Sequence, residues 1–222
     1  MNSFSPPYTP FARSVMYLQE KGFALIRSEE FFSLSEHSLK DWQDLSLTWN
    51  DLAEDQYLKD GGKYRKRKHS SVIVTDKSID IPPYRPHFQP VSYNALHGGM
   101  NRIFSPCDDA FLKHPAMYDF LLQLGDLFSQ VVIKENKNLS PWFVEVHQFR
   151  IDTSHGIGRP TPEGAHRDGV NFVAVLLVER HCVIGGESRV FDANGPQGQR
   201  FTLDQPWTLL LLDDTKVLHE TT

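Results

Sequence analysis

His166-Arg167-Asp168 and, far along the chain, His219 are the residues whose types and spacing most constrain chemistry. In an extended strand successive side chains alternate between faces, so His166 and Asp168 project the same way and both can ligate. A third ligand from a distant strand closes one triangular face of an octahedral ion and leaves the other face open. Fe(II) suits that donor set, with the open positions available to an oxo-acid cosubstrate and O2. Zinc is better served by a tetrahedral set of His and Cys. A chain with ten histidines yields about one His-x-Asp by chance, so the flanking sequence has to carry the assignment.

The flanks read as strands separated by turns. Residues 156–164 are rich in turn formers, and 171–178 form an apolar, β-branched run that reads as a strand buried on both faces. Gly185-Gly186-Glu187-Ser188 starts another strand, and residues 207–212 make a further apolar one. Asp213 and Asp214 cap the turn that leads into Val217-Leu218-His219. Ligands at strand ends, with buried strands between them, describe a small β-barrel with a metal at its mouth, a preferred location for ligand sites.

The earlier chain reads as the helical support for that barrel. Apolar residues at helical spacing predict a helix over 11–21 that stops at Gly22, followed by a short strand over 23–26. Ser35 and Glu36 open a second helix running through Trp42, Leu45, Trp49 and Leu52. Residues 63–74 read as a strand with a basic first half, and 78–99 as an ordered loop region rich in proline and aromatics. A strong amphipathic pattern predicts a helix over 115–134, and residue 142 begins the barrel proper. The expectation is one α+β domain over 1–222, mainly helical over 1–62, with the metal-binding core over 141–222.

Composition narrows the function classes. The apolar run at 173–178 is far too short to span a membrane, and the N-terminus has no basic-then-apolar pattern. Two cysteines, Cys107 and Cys182, with no Cys-x-x-Cys, fit packing or surface thiols in a reducing cytosol. A net charge of −5 argues against generic nucleic-acid binding.

A family resemblance sharpens this reading. The segments Val144-Glu145-Val146-His147-Gln148-Phe149-Arg150, Gly164-Ala165-His166-Arg167-Asp168-Gly169, Gly185-Gly186-Glu187-Ser188 and Leu218-His219-Glu220 occur in the order found in 2-oxoglutarate-dependent L-isoleucine dioxygenases. That family also takes in the biofilm-stress-motility proteins. Tyr64-Arg65-Lys66-Arg67 and Gly98-Gly99-Met100-Asn101-Arg102 resemble its N-terminal motifs. The resemblance implies a double-stranded β-helix (jelly-roll, cupin-like) barrel with N-terminal and flanking helices. It makes His166, Asp168 and His219 the iron ligands, with 2-oxoglutarate as cosubstrate. It implies hydroxylation or sulfoxidation of a free aliphatic or thioether L-amino acid by O2, with release of succinate and CO2.

Other residues keep two readings each. Tyr64, or an arginine of the basic cluster at 63–69, reaches substrate if the resemblance extends that far; otherwise the cluster is a solvated edge strand or a nucleic-acid patch. Arg102 follows two glycines and is a candidate for a substrate or cosubstrate carboxylate, or else an ordinary surface arginine. Glu145 and His147 share a strand face. Glu145 is a candidate for the substrate amine and His147 for the cosubstrate, against a satisfied buried pair. His37, His69, His87, His97, His114, His155 and His181 read as surface or loop residues.

One departure concerns the cosubstrate. Such enzymes usually carry an Arg about ten residues beyond the distal His, paired with the far carboxylate of 2-oxoglutarate. The sequence stops at Thr222, so the natural chain is expected to continue through a closing strand that supplies it; failing that, Arg102 or Arg150 must serve. The rival to catalysis is a metal- or metabolite-responsive regulator on the same scaffold, since fold alone does not decide function.

Overall fold

The computed structural model describes residues 5–94, 96, 98–133, 141–154 and 156–222. His97, His155 and the last residue of the helix expected over 115–134 lie outside them. The chain runs through α1 (Ser14–Lys21), β1 (Phe23–Ile26), α2 (Ser28–Leu34), α3 (Leu39–Ser46), β2 (Arg65–Val74), β3 (Ile79–Asp80), β4 (His87–Phe88) and β5 (Asn101–Arg102). It continues through α4 (Asp109–Leu112), α5 (Pro115–Ile133), β6 (Trp142–Ile151), β7 (Phe172–Leu176), β8 (Glu187–Asp192), β9 (Gly198–Thr202), β10 (Leu209–Asp213) and β11 (Val217–Thr221). All strand pairs in these elements are antiparallel. No helix among the described residues is long and apolar enough to cross a membrane.

The residues gather into two compact units interleaved along the sequence. One comprises Met1–Leu34, Gln89–Met100 and Ile157–Thr222. It holds two three-stranded sheets, ordered β1-β10-β7 and β11-β8-β9. Phe23, Leu25, Leu210 and Leu212 of the first sheet pack with Val190, Phe201 and Val217 of the second in one buried cluster. Two sheets sharing a core is the sandwich arrangement in which inward residues of both sheets interdigitate. β10 is the central strand of its sheet and is buried throughout, Leu211 and Leu212 completely.

Helix α1 ends where the sequence says it must. Gly22 adopts φ +74°, and its amide donates to Leu18 O at 3.1 Å. A Cβ at Gly22 would lie 2.6 Å from Val217 Cγ1, so glycine serves both the left-handed cap and the close approach of β11. The run at 171–178 departs from expectation. It forms β7, an edge strand in which Ala174 and Val175 are exposed. Its apolar, β-branched composition supports a strand but does not specify a central position.

The other unit comprises Ser35–Phe88 and Asn101–Gly156. Its main sheet is ordered β3-β2-β6, with β2 and β6 paired over all ten residues from Arg65↔Ile151 to Val74↔Trp142. Val72, Val74 and Val146 are buried on one face, where α5 approaches closely: a Cβ on Gly125 would sit 3.0 Å from Val74 Cγ1. The other face is polar and carries Arg67, His69, Glu145 and His147. Helix α3 starts later than Ser35. Ser38 and Asp41 form a reciprocal capping box that fixes its first turn.

The basic cluster is not a solvated edge strand. β2 is the middle strand of its sheet, and Arg65, Arg67 and Lys68 are all buried. Arg65 Nε lies 2.8 Å and Arg67 Nη1 3.6 Å from Asp55 Oδ2, while Lys68 Nζ lies 2.7 Å from Asp108 Oδ2. Buried cations require such partners, and three acids distant in sequence converge here to supply them.

Candidate metal centre

His166 and His219 face each other as an antiparallel β-bridge outside the sheets' regular pairing. His166 N donates to His219 O at 3.1 Å, and His219 N donates to His166 O at 2.9 Å. The main chain therefore sets the spacing of the two imidazoles, whose ring centroids are 4.7 Å apart. Asp168 lies between them: Oδ1 is 3.6 Å from His166 Nε2, and Oδ2 is 3.6 Å from His219 Nε2. Ligands at right angles around an ion with 2.0–2.1 Å bonds stand about 3 Å apart, so a small contraction would close this set on one ion.

Hydrogen bonds around the triad orient it. His166 Nδ1 lies 2.8 Å from Gly164 O, and a carbonyl can only accept, so Nδ1 keeps its proton and Nε2 is the nitrogen that can present a lone pair to an ion once its own proton leaves. Gln89 Nε2 donates to Asp168 Oδ1 at 3.0 Å. Asn94 Nδ2 donates to Gln89 Oε1 at 3.3 Å, which positions the Gln89 amide. Glu163 Oε1 lies 3.6 Å from His166 Nε2 and adds a second negative charge beside the imidazoles.

Asp214 has a different role from the expected turn cap. Its Oδ1 accepts from Asp168 N at 3.0 Å, and its Oδ2 accepts from Gly169 N at 2.8 Å and Val170 N at 3.1 Å. This carboxylate clamps the loop that carries Asp168. Asp213 alone caps the turn, accepting from Thr215 N and Thr215 Oγ1. Gly169 has φ +81°, and the Tyr93 ring lies where a Cβ would be, 2.6 Å from Cδ2. Tight packing over that position also requires glycine.

The electrostatics fit a site built for a cation. Burial works against a charged His166, yet the Asp168 carboxylate, the Gly164 carbonyl and Glu163 raise it to about 9. Burial alone would raise Asp168, but His166 and His219 hold it below the usual carboxylate range. His219 is pushed down, chiefly by burial. Its Nδ1 is buried without a hydrogen-bond partner. Two imidazoles, one carboxylate and nearby negative charge are a set that Fe(II) fits.

The remaining expected site residues lie in the unit built on β2 and β6. Tyr64 Oη donates to Asp60 Oδ2 at 2.8 Å. Arg102 is buried, with its guanidinium 6.0 Å from the Phe104 ring centre. Arg67 Nη2 lies 2.8 Å from His147 Nδ1, and His87 Nδ1 lies 2.8 Å from Glu145 Oε2. Burial would raise the Glu145 carboxyl, but His69 and His87 take it down to about 2. His69 and His87, expected at the surface, are buried instead. Gln89, Asn94, Glu163 and Asp214 complete the surroundings of the triad. Gln89 and Asp214 reach Asp168 from distant segments and so carry no local spacing signal, whereas Glu163 lies only three residues before His166.

Comparison with known proteins agrees with this chemistry. The family described as 2OG-Fe dioxygenase matches residues 46–222. A curated relative, L-isoleucine-4-hydroxylase of Bacillus thuringiensis, is 29% identical over 215 residues, covering 92% of this chain and 83% of that protein. The crystal structure of a bsmA homologue from Methylobium petroleophilum superposes with a TM-score of 0.89 at 44% identity, covering 100% of this chain and 88% of the other. The structure of IDO from Bacillus thuringiensis gives 0.75 at 22% identity, with coverages of 100% and 88%, and so shares the fold. The match over most of the chain, with the two-His, one-Asp set within it, establishes that the protein belongs to the 2OG-Fe dioxygenase family.

Proposed function

We propose that the protein hydroxylates or sulfoxidises a free L-amino acid with an aliphatic or thioether side chain, on a double-stranded β-helix scaffold. The observation that carries this reading is the likeness to L-isoleucine-4-hydroxylase across most of both chains. Family membership favours it over a metabolite-responsive regulator. In balanced form, substrate, 2-oxoglutarate and O2 give oxygenated substrate, succinate and CO2. Fe(II), when bound, supplies the redox chemistry that activates O2, and the protein supplies ligation and orientation.

His166, Asp168 and His219 would hold the ion on one face and leave the opposite face for 2-oxoglutarate and O2. Gly164 O holds the proton on His166 Nδ1, so Nε2 is the nitrogen that gives up its proton to an ion, and Gln89 fixes the Asp168 carboxylate. Arg102 is assigned to a carboxylate of substrate or cosubstrate, which a guanidinium binds with two parallel hydrogen bonds. Tyr64 remains a contact proposed on the family resemblance, and His147 one proposed from the strand face it shares with Glu145. Glu145 Oε2 already meets His87 Nδ1 at 2.8 Å, which leaves Oε1 as the oxygen that a substrate amine would reach.

The test is succinate formation by the protein with Fe(II), 2-oxoglutarate and ascorbate against a panel of the twenty amino acids. Leucine, isoleucine or methionine should stand above the uncoupled background, with a product heavier by one oxygen. Stimulation by none of them, in protein that retains iron, refutes the assignment of substrate.

A further inference from the structure

A second group of metal-binding side chains lies on the polar face of the β2–β6 sheet, outside the triad. His69, His87, Glu145 and His147 bring one ligand atom each to within 4.8 Å of one another. The ring centroids of His69 and His87 are 5.2 Å apart, those of His69 and His147 4.6 Å, and those of His87 and His147 4.9 Å. These separations match the 4.7 Å between the two imidazoles of the triad.

His69 makes this more than a crowded surface. It is completely buried, and neither ring nitrogen has a hydrogen-bond partner. Glu145 Oε1 stands 3.7 Å from His69 Nε2, beyond hydrogen-bond reach. Leaving a buried imidazole unsatisfied costs free energy that a metal ion would recover.

We propose that His69, through Nε2, His87, through Nδ1, and the Glu145 carboxylate form a second site for one divalent transition-metal ion, with zinc the ion best matched. Four-coordinate zinc with bonds of 2.0–2.1 Å places its ligands about 3.3 Å apart. The Glu145 oxygens stand 2.8 Å from His87 Nδ1 and 3.7 Å from His69 Nε2, which bracket that spacing. Two His and one Glu leave a fourth position open, a known zinc arrangement.

His147 is excluded from the ligand set by its own hydrogen bond. A guanidinium can only donate, so His147 Nδ1 accepts from Arg67 and the neutral ring carries its proton on Nε2. That Nε2–H has no lone pair for a metal, but it can donate to whatever fills the fourth position. Burial chiefly, with Arg102 and Arg67 adding to it, depresses His87, and the two guanidinium groups oppose a dication. Arg67 shares its charge with Asp55 at 3.6 Å, and the residual positive field favours an anionic fourth ligand such as chloride or hydroxide.

The test uses a background in which the triad cannot bind, the double variant H166A/D168A, loaded with Zn(II), dialysed and measured by mass-spectrometric metal analysis. The expected result is one equivalent of zinc, lost in H69Q and in E145Q and kept in H147Q. Glu145 is partly exposed, so E145Q removes a ligand without opening the core. Co(II) in the same background should give the intense visible bands of a four-coordinate site, absent in E145Q. Two equivalents in the unaltered protein confirm the count without relying on any variant. A triad-free protein that holds no zinc, or one whose zinc survives E145Q, overturns the proposal. Iron binding by the triad is read separately and stands or falls alone.

Discussion

Asp214 gives the sharpest test of how the metal centre is held. Its carboxylate takes three main-chain N–H groups from residues 168–170, yet it touches neither imidazole of the triad in any hydrogen bond described above. Replacing it by Ala strands all three donors. Gly169 and Val170 are exposed, so water can recover part of the loss, and each bond is charged at about 1 kcal/mol, near the low end of measured values. About 3 kcal/mol in total would then oppose ordering of the loop, which converts to roughly a hundredfold in metal affinity. D214N keeps one oxygen acceptor. Turned toward Gly169 and Val170, it preserves two bonds and loses the one from Asp168, for about 1 kcal/mol and roughly fivefold. Competition for Co(II) against a chromophoric chelator measures both variants beside the unaltered protein. The predicted order is Asp, then Asn, then Ala. If D214A binds Co(II) within twofold of the original, the loop is ordered by something else and the clamp is not a determinant of the site.

Four further outcomes are expected. In the metal-free protein His166 is raised from 6.5 to about 9, so its charged form contributes stability below pH 6.5 that is lost as pH rises through 9, on the order of 3 kcal/mol in denaturant titrations. Metal affinity should run the other way, rising about tenfold per unit between pH 7 and 9 as the competing proton leaves, and a flat profile would contradict the assigned proton. G169A must force an L-residue into positive φ against the Tyr93 ring, and should lower both Tm and metal affinity, whereas G156A, also strained at φ +146° but with nothing within 4 Å of its Cβ, should lower Tm and leave affinity unchanged. L211A empties a fully buried position in the central strand β10 and should cost about 2–5 kcal/mol in chemical unfolding; a loss below 1 kcal/mol would mean the strand is not the core element described.

The candidate ligand set was legible because metal chemistry limits both residue type and spacing. His166, Asp168 and His219 could be read together before any pairing was known, and the strands carrying them followed from apolar runs and glycine turns. Position within a sheet was not legible. The run at 171–178 has the composition of a central strand and sits at an edge, while the basic β2 has the composition of an edge and sits in the middle. Both reversals come from long-range partners: β10 supplies Leu-rich cover on one side of β7 only, and Asp51, Asp55 and Asp108 neutralise the cations of β2. For the same reason His69 and His87 read as surface residues. Nothing within a few positions of either announces that β6 and the β4–β5 ribbon will enclose them.

The paired amides and carbonyls of His166 and His219 have a consequence for kinetics. Two reciprocal main-chain bonds hold the ligand backbones together before any ion arrives, so capture of the ion need not order a disordered segment. The entropy lost on loading should be confined to side-chain adjustment and the ion's own hydration shell. Loading would then proceed at a rate set by ligand exchange on the incoming ion rather than by folding. Amide hydrogen exchange at these two positions should be slow in the apo-protein and change little when the ion binds.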